Sequence, residues 1–326
     1  MDRRDFMRRA AGTLVAGALS GAAQAQTYPQ ARPIRFIVPI APGGASDFLA
    51  RFLGERVAPL LGQPIVVDNR PGAGGTIGSK LAADAPPDGH TLLFSTIGFH
   101  AVAPALYKNL PYDQERAFAP VIQTIANQQI VVTRSELPAT NLRSVVALAK
   151  EKPGTLTYGS AGNGSVLHLG MEYLKATAGI DLRHIPYNGS ARMITALLAQ
   201  EVDLAMPDGP SSLPSINSGR LRAIAVTGRQ RAKVLPDIPT IAEVGYPGFE
   251  VSGWAGILVP AGTPAAIIAK LNEAFASVLR TPEAIQKLGE QDFQVVAGTP
   301  EAFGEHLRVE RAKWLEVVRR SGAAIN

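Results

Sequence analysis

Cysteine is absent from all 326 residues. That excludes a disulfide framework, a thiolate nucleophile, a cysteine-ligated metal and a lipid anchor on a lipobox cysteine. Charge is also sparse, at 18% of residues with a formal net charge of +5. Four arginines and two aspartates lie in the first 25 residues, so without that segment the charge falls to about +3. The remaining basic residues are scattered, with no aromatic-interleaved stripe for a nucleic-acid strand to follow. The apolar run from about Ala10 to Ala23 is too short to span a bilayer. The five histidines, His90, His100, His168, His184 and His306, show no metal-ligand spacing such as H-E-x-x-H. Neither a metal nor a cofactor is expected.

What is present is 46% hydrophobic sequence, enough for two packed lobes or one large one. The start, MDRRDFMRRAAGTLVAGALSGAAQA, combines a charged head, an apolar run and a small-x-small site at Ala23-Gln24-Ala25. Arg3-Arg4 followed by Phe6-Met7 reads as a twin-arginine signal, with an ordinary secretory signal as the alternative. Either way residues 1–25 are expected to be removed, and the mature protein to begin near Gln26 and work outside the cytoplasm, in the periplasm. After Ala25, short apolar runs such as Ile34 to Ile40 and Thr91 to Thr96 alternate with segments at helical spacing such as Ala45 to Leu60. Such alternation predicts an α/β protein with mainly parallel sheets covered on both faces. The segments ELPATNLRS and EVGYPGFEVSGW, rich in Pro, Gly and polar residues, are the expected places where the chain crosses between lobes. The Gly-Thr-Pro signals at Gly262 to Pro264 and Gly298 to Pro300 predict threonine caps on proline-started helices.

Two strand-to-helix junctions are rich in glycine: PGGASD at Pro42 to Asp47, and GSAGNGS at Gly159 to Ser165. Neither carries the Lys-Ser/Thr that a phosphate loop needs to neutralise phosphates and hold magnesium. In RPGAGGTIGSK a dinucleotide fingerprint would require glycine where Ile77 stands. The nearest approach to a nucleophile elbow is Tyr158-Gly159-Ser160-Ala161-Gly162, in which tyrosine replaces the first glycine. A serine-type hydrolase using Ser160 or Ser165 with His168 is the enzymatic alternative. For His168 a structural or supporting role is expected ahead of ligand contact. Asp47, in the first turn of its helix, is expected to fix the loop through backbone N–H groups ahead of touching ligand. What fits the junctions is anion binding without catalysis, because the first N–H groups of a helix lack internal partners and carry partial positive charge.

The spaced motifs VPIAPGGASD, VVDNRPGAGGTIGS, PPDGHTLLFST, LTYGSAGNGSVLHLGMEYL, HIPYNGS and VDLAMPD resemble those of the Bug family, the extracytoplasmic solute-binding receptors of the tripartite tricarboxylate transporters. The resemblance covers Tyr28 to Asn326. It implies a type II periplasmic-binding-protein (Venus flytrap) fold, with a discontinuous first domain at 27–127 plus 251–326, a second at 128–250, and a hinge. It further implies a non-catalytic monomer that holds a small organic acid between its lobes and hands it to membrane permease subunits, or to a sensor in a signalling variant. The contacts so implied are Ile40, Pro42, Gly43, Gly44, Ala45, Ser46 and Asp47 after the first strand, and Thr96, Ile97 and Gly98. From the opposing domain they are Ser160, Ala161, Gly162, Asn163, Gly164, Ser165 and His168, then Tyr187, Asn188, Gly189, Ser190 and Asp208. Two positions depart from the family pattern. Ile40 stands where an aromatic residue is frequent, and Asp208 where a neutral or apolar one is. Asp208 either accepts hydrogen bonds from a ligand amino, hydroxyl or amide group or points away. Unpaired, it disfavours a further carboxylate nearby, against a tricarboxylate such as citrate.

Overall fold

The structure, a computed structural model, describes residues 28–43, 45–107, 109–290 and 292–321. The expected signal segment lies outside them. Eleven strands and ten α-helices follow in the order β1 (Ile34–Val38), α1 (Ala45–Leu61), β2 (Ile65–Asn69), α2 (Thr76–Ala83), β3 (Thr91–Thr96), α3 (Ala103–Leu106), β4 (Phe118–Gln128) and β5 (Ile130–Arg134) among the described residues. Next come α4 (Leu142–Glu151), β6 (Thr157–Ser160), α5 (Val166–Ala178), β7 (Arg183–Pro186), α6 (Ser190–Leu198), β8 (Leu204–Ala205), α7 (Gly209–Asn217) and β9 (Leu221–Val226). The chain ends through β10 (Ser252–Pro260), α8 (Ala265–Leu279), α9 (Pro282–Gly289), β11 (Gln294–Val295) and α10 (Pro300–Ser321).

In β1 the side chains of Ile34, Phe36, Ile37 and Val38 are fully buried, so both faces of the strand are covered, and the one polar residue, Arg35, pairs with Asp68 of β2. Helix α1 shows the other period. Leu49, Leu53 and Val57, spaced by four, are buried, while Phe48 and Leu60 turn outward. That apolar stripe joins Phe36, Phe94 and Phe275 in one core over the first sheet. The order of that sheet is β11-β4-β10-β3-β1-β2, and of the second β7-β6-β8-β5-β9.

The two α/β sheets are mixed, which corrects the expectation of mainly parallel ones. Parallel pairing is confined to β2-β1-β3 and β7-β6-β8. The pairings made by β4, β5 and β10 are antiparallel. A parallel neighbour requires a crossover of a dozen or so residues, whereas Gln129 alone separates β4 in the first sheet from β5 in the second. The return runs through 227–251 into β10, which lies beside β4 with Ser252 opposite Gln128. Buried Thr227 ties the two passages together, its hydroxyl accepting from Gln129 N at 2.9 Å and donating to Val251 O.

ELPATNLRS is therefore not a crossing. It enters α4 inside the second sheet's lobe, where Asn141 Oδ1 accepts from Ser144 N at 3.0 Å and Ser144 Oγ accepts from Asn141 N, a capping box. Thr299 Oγ1 accepts from Ala302 N as expected of a cap. Thr263 instead donates to Pro260 O, leaving α8 without a side-chain cap. Helix α10 lies across the back of both sheets, packing on β4, α3 and α5, with Trp314 fully buried.

Candidate functional site

Helix α1 starts where the loop after β1 turns through Gly43, whose φ of 94° is in the left-handed region. The loop is held by Asp47. Its buried carboxylate accepts from Gly43 N at 2.9 Å, Arg51 Nε at 3.0 Å and Asn69 Nδ2 at 2.9 Å. Asn69 also donates to Ile40 O, so the end of β2 clamps the loop after β1. The bond from Arg51 is the main reason the Asp47 carboxyl is held down to about 2. Asn69 and Arg51 were not picked out by sequence. Their signal was present as VVDNR and as the four-residue spacing of Asp47 and Arg51.

The second junction is held as tightly. Ser165 caps α5 by accepting from His168 N, and His168 Nδ1 accepts from Gly164 N at 3.1 Å. Gly162 and Gly164 adopt φ values of 127° and 74°. Beneath the loop the His168 ring stacks on His184 with centroids 4.0 Å apart, and His184 stacks on Tyr158 at 4.8 Å. Burial lowers both imidazoles, His184 to about 4, so the stack is uncharged near neutrality. Ser160 is fully buried with Oγ 2.6 Å from His184 Nε2. A hydrolase needs an accessible hydroxyl activated by an imidazole. Ser160 is inaccessible, and the Ser165 hydroxyl meets the main chain of His168 while that ring faces Gly164. Tyr187 turns its hydroxyl to Glu201, and Gly189 N donates to Ala161 O, bracing the two loops against each other.

Between the sheets lies a cavity of about 370 Å³. Of the residues expected to contact ligand, Ser46, Thr96, Ile97, Gly98 and Asp208 line it. Gly164 and Ser165 line an adjoining recess of about 190 Å³ that shares Gly98 and Val166 with it. Gly44 lies outside the described residues. Ile40, Pro42, Gly43, Asp47, Ser160, Ala161, Gly162, Asn163, His168, Tyr187, Asn188, Gly189 and Ser190 fall outside both linings, in the loops that shape them. Sequence reasoning missed Asn127, Gln129, Trp254 and Phe293, which come from the crossing strands and the stretch before β11. Nothing local marks such residues, because their place depends on which strands pair.

The cavity is bordered by the first turns of α1, through Ser46, and of α5, through Val166 and Leu167, and among the described residues no Lys, Arg or His lines it. Asp208 Oδ1 caps a third helix, α7, accepting from Ser211 N at 3.0 Å. A larger groove of about 760 Å³ runs between α5 and α10, but neither glycine junction borders it. Its Lys175 and Lys313 are paired with Glu172 and Glu310.

Residues 49–322 match the family model described as tripartite tricarboxylate transporter family receptor. The protein BugT of Bordetella pertussis is 36% identical over 302 residues, 92% of each chain. Among solved structures, an R. palustris protein with adipate superposes with a TM-score of 0.76 at 34% identity, covering 91% of this chain and 99% of that one. MatC from Rhodopseudomonas palustris, with bound malate, gives 0.72 at 31% identity over 88% and 99%. With two α/β lobes and these relatives, the chain belongs to the tripartite tricarboxylate transporter receptor family, as a periplasmic solute-binding protein and not an enzyme.

Proposed function

We propose that this receptor captures a small organic acid by one carboxylate at the first turns of α1 and α5, for delivery to the membrane permease of a tripartite transporter. The two lobes, 27–127 with 251–326 and 128–250, would close on the ligand about the paired crossings at Gln129 and Val251, after export by the twin-arginine route. One chain supplies both walls, so the working unit is a monomer. The observation that carries the reading is the arrival of two helix N-termini, from opposite lobes, at a cavity that no cationic side chain lines among the described residues. The adipate and malate carried by the two R. palustris neighbours support the ligand class.

Each helix end contributes about 0.3 to 2 kcal/mol, whereas micromolar affinity needs about 8 kcal/mol. The remainder has to come from the hydroxyls of Ser46 and Thr96, the amides of Asn127 and Gln129, and the burial that accompanies closure. Calorimetric titration of adipate, malate and other small carboxylates tests this against the Ser46→Phe variant, which fills the wall of the cavity. Binding should fall at least about 100-fold, roughly 2.7 kcal/mol, with the melting temperature retained. Equal affinity in a folded Ser46→Phe protein would place the site elsewhere.

A further inference from the structure

The second junction spends most of its main-chain donors on itself. Gly162 N donates to the buried Ser160 hydroxyl at 3.2 Å, Gly164 N to His168 Nδ1 at 3.1 Å, Ser165 N to Gly162 O, and His168 N to Ser165 Oγ. The N–H groups of Val166 and Leu167 are left, without an acceptor among the described residues, and both residues border the cavity. One bond in that set constrains chemistry as well as shape. A main-chain N–H can only donate, so Nδ1 of His168 has to be the bare nitrogen of a neutral ring, with the proton on Nε2. An imidazolium has no bare nitrogen, so a proton added at Nδ1 sets two donors against each other and breaks the contact. Around the ring stand Tyr158 of β6, His184 of β7, and Glu172 and Lys175 further along α5, the last two paired at 2.8 Å. Burial, ahead of those two charges, lowers the His168 imidazole and keeps it neutral near neutrality.

We infer that His168 is the positioning residue of the second junction: its bare Nδ1 holds Gly164 so that Val166 and Leu167 present their N–H groups to the carboxylate, and a proton taken up at Nδ1 loosens this grip. This rests on the carboxylate-capture reading and adds a proton-sensitive element to it. The ring lines neither the cavity nor the adjoining recess, so a charge on it acts through the loop and not by touching the acid. The ligand-bound loop requires the neutral ring, and affinity is therefore full near neutrality and falls as the pH drops through the lowered value of the free protein, below 6.5.

Calorimetric titration of adipate and malate into the full-length mature protein tests this through crossed substitutions. In His168→Asn the side-chain oxygen takes the place of Nδ1, in His168→Gln it takes that of Nε2, and both variants remove the ring from the stack. His168→Gln should bind at least about tenfold more weakly with its melting temperature matching that of His168→Asn, and His168→Asn should recover most of that affinity. Between about pH 7 and about pH 5 the wild type should lose about tenfold relative to His168→Asn, whose amide does not titrate, a comparison that cancels the titration of the acids themselves. In the ligand-free protein, nitrogen NMR shifts of the ring should report a bare Nδ1 and a protonated Nε2 near neutrality. An equal response to Asn and Gln, whether loss or none, would assign His168 to packing and overturn the positioning role. So would a ring whose Nδ1 carries the proton. A wild type that keeps pace with His168→Asn as the pH falls, or binds tighter, as a cation drawn to the acid would, overturns the proton-sensitive grip. In each of these outcomes the wild type still binds and carboxylate capture stands. Failure of both acids to bind the wild type would remove the capture reading and the role of His168 with it.

Discussion

At the residue scale, the two glycine junctions differ in what holds them. The first depends on a charge. Asp47 satisfies a main-chain N–H, an amide and a guanidinium at once, leaving little capacity for a ligand. Asp47→Ala would leave Gly43 N and Asn69 without their acceptor, at a cost of about 1–3 kcal/mol in unfolding free energy. The Asp47 carboxyl is lowered in the folded protein, so its contribution is full above its ordinary value near 3.8 and is lost as the pH falls towards 2. Urea titrations of the wild type and Asp47→Asn should therefore converge between about pH 4 and pH 2. A constant gap over that range would show that packing, not charge, holds the loop. The second junction depends on neutral rings, the stack of His168, His184 and Tyr158. Its histidines need no cationic role to account for their place.

At the scale of elements, local pattern and pairing part company. The buried run of β1, the four-residue stripe of α1 and the glycine turns that follow the strands are legible because each is set by neighbours in the chain. So is the set Ser46, Thr96 and Gly98, which lies where β1 and β3 give way to the helical turns that follow them. Gln129 was not legible: a single residue between two strands carries no turn signal, and ELPATNLRS looked more like a crossing than it did. Nor was Trp254, whose place on the cavity follows from β10 lying antiparallel between β3 and β4. Such pairing joins residues more than a hundred positions apart. Thr227 shows what secures the crossings. Thr227→Val keeps the shape but removes the acceptor for Gln129 N and the donor for Val251 O, and should cost about 1–3 kcal/mol in denaturant unfolding. Thr227→Ser should recover most of it. Loss in Thr227→Ser with none in Thr227→Val would instead assign the role to the methyl group's packing.

For the whole molecule, the back of the fold constrains how the front can open. A continuous apolar core passes from Leu93 and Ile97 through Trp254 and Trp314 to Leu169 and Met171, joining both sheets behind the cleft. Helix α10 seals that side, so the closure proposed above would pivot there, behind the crossings at Gln129 and Val251. The two tryptophans report on this directly. Trp254 borders the cavity, Trp314 is fully buried in α10, and both indole N–H groups donate to Glu310, at 3.2 and 3.0 Å. Since ligand and lobe closure change the surroundings of Trp254 but leave a pivot intact, the fluorescence change on titrating a bound acid should survive in Trp314→Phe and vanish in Trp254→Phe. A signal carried by Trp314 instead would mean that the C-terminal helix shifts when the lobes close, and that the pivot lies elsewhere.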